Sequence, residues 1–206
     1  QALRKEIKSE RVTESWEKWL LDLVAFATVA DQMDLVSENR VLVKYGLLVL
    51  AKTRRLGLQE LMRVARINPL TITTQDLLYQ LAPRVNAASR IDHALKAFKL
   101  LTSKDPSEAR KLAQGIDQAN KKRQTLVAHT LKELSARIEA KLAQITKEGF
   151  ILEGSKEWPA GVCGLAANKI LDRYGYPTFI FSEGEEVAKG SARSYPPFSV
   201  VSVMKE

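Results

Sequence analysis

Arg84-Val85-Asn86-Ala87-Ala88-Ser89-Arg90 sets two guanidiniums six residues apart, with an amide and small side chains between them. Arginine presents a planar fork matched to phosphate oxygens, and small neighbours let a backbone come close to an anion. The same two arginines suit ion pairs with acids on neighbouring helices equally well. A second stretch, Lys189-Gly190-Ser191-Ala192-Arg193-Ser194, offers a glycine, hydroxyls and two cations that could all face one phosphate, although many surface loops share this composition. Between these lies a helix predicted over Gly161 to Tyr174. The small residues from Gly161 to Gly164 at its start make its N-terminus a ready anion site. The fourth candidate is Asp31, which closes the apolar run Leu20 to Ala30. A carboxylate at the end of a buried run needs a hydrogen bond, a counter-charge or a metal, and capping the next turn is the simplest way to satisfy it. Asp34 and Glu38 read as exposed turn residues, and His93 as an exposed helix residue.

The element that must position these groups runs from Asp105 to Gly149. Asp105-Pro106-Ser107-Glu108 has an N-cap acceptor, proline at the first helical position and an acid at the third. Leu112, Ile116, Ala119, Leu126, Leu134, Ile138, Leu142 and Ile145 then form one apolar stripe, and Gly149 sits where a C-terminal cap belongs. Unbroken, such a helix is roughly 60 Å long at about 1.5 Å per residue. It serves either as a core helix or as a strut between two lobes with a substrate channel between them. Gly115 marks a possible kink.

Before it, helices are predicted over Gln1 to Ser9, Ser15 to Val29, Glu38 to Thr53 (Val41, Leu42, Leu47, Leu48 and Leu50 inward), Gly57 to Ala65, Gln75 to Leu81 and Asp92 to Thr102. Thr73 or Thr74 caps the fifth and Pro83 stops it, which leaves Arg84 to Arg90 as a loop. After it, strands at Phe150 to Glu153 and Thr178 to Phe181 flank the helix over Gly161 to Tyr174. Strand, helix, strand implies a parallel pair. Glu186 to Ala188 is a candidate third strand, and Phe198 to Glu206 an element cut short.

With 206 residues and 45% hydrophobic content, the chain can bury a core in one domain or two. No run approaches the ~20 apolar residues of a membrane span. Lone Cys163 excludes an internal disulfide framework and fits a reducing compartment, and His93 and His129 are too few for a Cys/His zinc site. Thirty-two Lys plus Arg against 24 Asp plus Glu give +8, and residues 106–147 carry nine basic side chains against four acidic. Such an excess favours a polyanion if clustered, and a solvated basic face explains it without one.

Four stretches, in order, resemble the RecJ family of single-strand-specific exonucleases in the DHH phosphoesterase superfamily. Leu21 to Asp31 (LDLVAFATVAD) is similar to the family's fourth motif, whose closing Asp helps bind a metal pair. Arg84 to Arg90 is similar to Arg-x-Asn-Ala-Ala-Gly-Arg, with Ser89 in place of Gly. Trp158 to Lys169 (WPAGVCGLAANK) resembles the Trp-x-x-Gly-Val-x-Gly-x-x-Ala segment that opens the DHH-associated domain, although Pro159 stands where many relatives have His. Ala188 to Ser194 resembles that domain's Gly-Ser-Gly-Arg-Ser loop, with Ala192 for a Gly.

The resemblance implies an α/β fold. Residues 1–104 would be the mostly helical C-terminal part of a DHH domain, 105–148 the connecting helix, and 149–206 the start of a DHH-associated domain with a βαβ unit. It also implies a cytoplasmic exonuclease of DNA repair and recombination that cleaves single-stranded DNA from the 5′ end. Two Mn²⁺ or Mg²⁺ ions would be bound in part by Asp31. Arg84, Asn86 and Arg90, with Gly190, Ser191, Arg193 and Ser194, would hold phosphates. The DHH motif and the other metal-binding aspartates are absent, so the chain is expected to be the middle of such an enzyme and inactive alone. A phosphoesterase acting on short oligonucleotides or nucleotide phosphates, and a non-catalytic nucleic-acid-binding relative, are the alternatives.

Overall fold

The computed structural model describes residues 15–91 and 94–205, the side chains of residues 89–91 excepted, so the helix expected over Gln1 to Ser9 and the side chains of Arg90 and His93 lie outside the described residues. The chain divides into two compact units, Gln1–Asn120 and Lys121–Glu206.

The first unit is helical. A 3-10 turn, Trp16–Leu20, leads into α1 (Leu21–Ala30), followed by α2 (Ser37–Leu50) and α3 (Leu56–Ala65). Ala25, Phe26 and Val29 of α1 pack in one apolar core with Val43, Leu50, Leu58 and Leu61. Val41 and Leu48, expected inward, are exposed at 53% and 61%, because the inward row of α2 is Val43, Gly46 and Leu50. Thr73 caps the next helix with a reciprocal box: Thr73 N–H donates to Asp76 Oδ2 (2.9 Å), and Thr73 Oγ1 accepts from Asp76 N–H (3.2 Å).

Pro83 does not stop that helix. α4 (Thr74–Asp76) runs through a π-turn, Leu77–Leu81, directly into α5 (Ala82–Ile91). In the π-turn Ala82 N–H donates to the Leu77 carbonyl, five residues back. The wider turn makes room for the proline ring that would otherwise press on the preceding turn. The stretch from Arg84 to Arg90, expected as a loop, is therefore helical. α6 (Leu95–Thr102) follows.

α7 (Pro106–Ala140) begins at the expected cap, where Asp105 Oδ1 accepts from Ser107 N–H (2.6 Å) and Glu108 N–H (3.1 Å). Ala109, Ala113 and Ile116 belong to the first core, and Leu134 and Ile138 to the core of the second unit. The helix runs through Gly115 and breaks instead at Lys141, whose φ of −112° and N–H bond to the Ile138 carbonyl (3.0 Å) tighten the chain by one residue before α8 (Leu142–Glu148). Leu142, expected in the stripe, is consequently exposed. Gly149 caps α8 at φ 82°, a left-handed conformation that glycine adopts without strain.

In the second unit β1 (Ile151–Ser155), α9 (Ala160–Tyr174) and β2 (Thr178–Ser182) form the expected parallel unit, with Ile151 opposite Thr178. β3 is Lys189–Arg193, antiparallel to β2, giving the order β1-β2-β3. Glu186 to Ala188 is irregular and lies in the connection between β2 and β3, whose pairing begins at Ser182–Lys189. α10 (Val200–Val203) is a single turn.

Candidate anion-binding site

The start of α9 is set by charges on α7. Trp158, 1% exposed, donates its indole N–H to Glu133 Oε2 at 2.8 Å, and the Arg137 guanidinium lies over its ring, 4.9 Å from the centroid. Arg137 also pairs with Glu133 and donates to the Gly154 carbonyl at 3.0 Å. Buried Glu153 accepts from Lys141 Nζ at 2.8 Å. The indole N–H, with Arg137 beside it, holds the Glu133 carboxyl below its ordinary value against the opposing effect of desolvation. A buried indole and a buried acid thus have the partners they need, and Pro159 enters α9 from a fixed point.

β3 passes this helix. Alternation along the strand turns Ser191 and Arg193, opposite buried Ile180 and Thr178, to one face of the sheet. Gly164, in the second turn of α9, faces them. A Cβ placed there would stand 3.0 Å from Ser191 Oγ and 3.4 Å from Arg193 Nη2. Glycine therefore leaves the hydroxyl and the guanidinium room beside the positive end of the α9 dipole. Arg193 Nη1 donates to the Ala192 carbonyl at 2.7 Å, and the guanidinium is exposed.

The other expected residues fall elsewhere. Gly190 answers a packing need, since a Cβ there would stand 2.4 Å from the Ile180 carbonyl oxygen. Ser194 Oγ donates to the Phe198 carbonyl at 2.8 Å and holds the turn after β3. In the first unit, Arg84 Nε donates to Asp117 Oδ1 at 2.9 Å and its Nη1 to the Gln80 carbonyl at 2.8 Å, so the pairing with an acid on a neighbouring helix is the arrangement found. Asn86 is exposed on α5. Asp31 is exposed at the C-terminus of α1, where its backbone N–H donates to the Ala27 carbonyl at 2.9 Å.

The buried acid of α1 is Asp22. It accepts from Thr53 Oγ1 and Leu23 N–H, each at 2.7 Å, and from Arg55 Nε at 3.2 Å. Nothing local distinguishes Asp22 from Asp31. The only signal was the hydroxyl and cation of Thr53 and Arg55, thirty residues further on. Among the described residues no group of three His, Cys, Asp or Glu side chains is placed to hold a metal ion.

A parallel βαβ unit whose helix is met by a strand-borne hydroxyl and guanidinium defines an α/β module suited to holding a phosphate. No family model matches the chain. It is 39% identical over 189 residues to the single-stranded-DNA-specific exonuclease RecJ of Bacillus subtilis (strain 168), a match covering 91% of this chain and 24% of that protein. It is 38% identical over 180 residues to RecJ of Haemophilus influenzae, covering 85% and 31%. Over nearly its whole length the chain is similar to RecJ exonucleases, and it spans about a quarter to a third of the length of the curated relatives it matches. The fold agrees. The structure of Thermus thermophilus RecJ in complex with Mn²⁺ superposes with a TM-score of 0.79 at 33% identity over 91% of this chain and 27% of that one. That of an exonuclease RecJ bound to manganese gives 0.78 at 32% identity, over 95% and 48%.

Proposed function

We propose that this chain is part of a metal-dependent exonuclease that hydrolyses the phosphodiester bonds of single-stranded DNA from the 5′ end, in repair and recombination within the cytoplasm. The observation that carries the reading is Ser191 Oγ and Arg193 Nη2 standing over Gly164. An exposed guanidinium, a hydroxyl and a helix dipole acting together suit one backbone phosphate of a strand, and the charge-assisted bond from Arg193 is the strongest of the three contacts. The names of the relatives, and of solved RecJ structures holding Mn²⁺ and Mg²⁺, support the substrate and the cofactor. The polarity follows from the family resemblance.

Divalent ions, when bound, activate water and offset the charge that develops on the phosphate. The described residues alone do not form such a site, and Asp31 is the one carboxylate of this chain assigned to it, as an exposed group at a helix end. Apart from Asp31, the work of this stretch is to hold and orient the strand. In a protein that carries the chain whole, Asp31→Ala is expected to abolish Mn²⁺-dependent cleavage of a labelled single strand while the melting curve is kept. Near-normal turnover would remove Asp31 from the reaction. Equal cleavage of duplex, or cleavage from the 3′ end, would overturn the reading itself.

A further inference from the structure

α7 and α9 enclose a groove of about 540 Å³ within the second unit, inside the range of small-ligand sites. Val127 and Leu131 of α7 and Leu165 of α9 line its apolar floor, while Gln124, Asn168 and Lys169 stand exposed around it. The spacing is that of two helix faces: Gln124, Val127 and Leu131 on one, Leu165, Asn168 and Lys169 on the other. None of the lining side chains is a carboxylate. Leu165 follows Gly164, so this flank of α9 lies about 100° round the helix from the face that meets Ser191 and Arg193.

The composition selects a ligand with three parts. The floor takes a flat apolar face. Two amides, each with donor and acceptor, match the edge of a heterocycle. An ammonium beside them favours an anion, and nothing acidic in the lining repels one. A nucleotide has all three parts. We propose that the groove between α7 and α9 binds one nucleotide, its base on the Val127–Leu131–Leu165 floor and its phosphate at Lys169. This is a second subsite, apart from the Gly164 cradle, and its ligand class rests on the nucleic-acid reading above.

The test titrates the 206-residue chain with thymidine 5′-monophosphate, inorganic phosphate and a short oligothymidylate, followed by calorimetry and by amide chemical shifts. Ala128 lines the same groove at an exposed helical position, so Ala128→Leu fills it with a good helix former. Lys169→Glu reverses its charge, and Lys132→Glu makes the same change elsewhere on α7. Ala128→Leu and Lys169→Glu are each expected to weaken oligothymidylate binding about tenfold, the size of one lost contact, with melting temperatures kept. Lys132→Glu is expected to change it less than about twofold.

Binding of the monophosphate that Ala128→Leu removes assigns the groove to free nucleotides as well as to a strand. Binding of the oligothymidylate alone assigns it to a strand unit. Arg193→Ala separates the two readings. If it has no effect while Ala128→Leu does, the Gly164 cradle fails and the groove stands. If it weakens binding and Ala128→Leu does not, the groove is overturned. Equal effects of Lys169→Glu and Lys132→Glu, measurable monophosphate binding that inorganic phosphate equals, or no binding of any probe overturn it too.

Discussion

Arg193→Ala tests the phosphate cradle most directly. The guanidinium has one amino group, Nη1, committed to the Ala192 carbonyl, which leaves Nη2 on the Gly164 side. A hydrogen bond to a charged group contributes about 1.5–3 kcal/mol, and the exposure of Arg193 puts it at the lower end. Loss of about 1.5 kcal/mol weakens single-strand binding roughly tenfold. One phosphate contact fewer also makes the plot of log affinity against log salt shallower by about 0.7. Fluorescence anisotropy of a labelled single strand over a salt series measures both quantities. Arg193→Lys keeps the charge and loses the fork, so it is expected to keep the slope and recover part of the affinity. Gly164→Ala separates shape from charge. Its Cβ would stand 3.0 Å from Ser191 Oγ, so the hydroxyl must yield by a few tenths of an ångström. Displacing a side chain from its rotamer costs about 1 kcal/mol, a roughly fivefold loss with the salt slope unchanged. An Arg193→Ala variant with native affinity and native slope would refute the phosphate assignment.

Asp22→Ala removes a buried acceptor from Thr53, Leu23 and Arg55. The expected loss is about 3 kcal/mol, read as a drop of roughly 10 °C or more in the melting of the first unit, and a variant melting like the native chain would show that Asp22 is dispensable. Arg84→Ala leaves Asp117, 7% exposed, without this cation, so it is expected to lower the melting temperature as well as any strand affinity, and Asp117→Asn should reproduce the thermal loss. Glu133 supplies a pH signature. Its folded carboxyl is held below the ordinary 4.5, so its contribution is complete above that value and lost as pH falls through the lower folded value. Glu133→Gln should therefore flatten the acid loss of melting temperature below about pH 5, and an unchanged acid limb would contradict the Trp158–Glu133 bond as its cause. The Asp172 carboxylate, accepting from the Tyr195 hydroxyl, raises that phenol above its usual 10. Asp172→Asn should return the ultraviolet titration of Tyr195 toward 10.

The parts of this fold that were legible in the sequence are those whose chemistry is local. The cap at Asp105, the glycine at 149 and the strand–helix–strand order around α9 each rest on neighbours within a turn or two. The misreadings all involve a partner far along the chain or a backbone adjustment with no residue signature. Asp22 lies near the start of the apolar run that Asp31 closes, and Thr53 and Arg55 are what hold Asp22 buried. Pro83 looked like a stop because the π-turn that accommodates it has no motif. The site follows the same division. Each half of the cradle was readable as anion-seeking: a helix start with small residues and a stretch with Ser191 and Arg193. Their meeting was not, because it depends on register. Lys-Gly-Ser-Ala-Arg has weak strand propensity and read as loop, yet β2 takes it as a partner and pairs Ile180 with Ser191 and Thr178 with Arg193. A slip of one residue would turn both side chains to the far face of the sheet and leave Gly164 facing Gly190 and Ala192. The apolar burial that holds Ile180 inward is therefore also what aims a hydroxyl and a guanidinium at the start of α9.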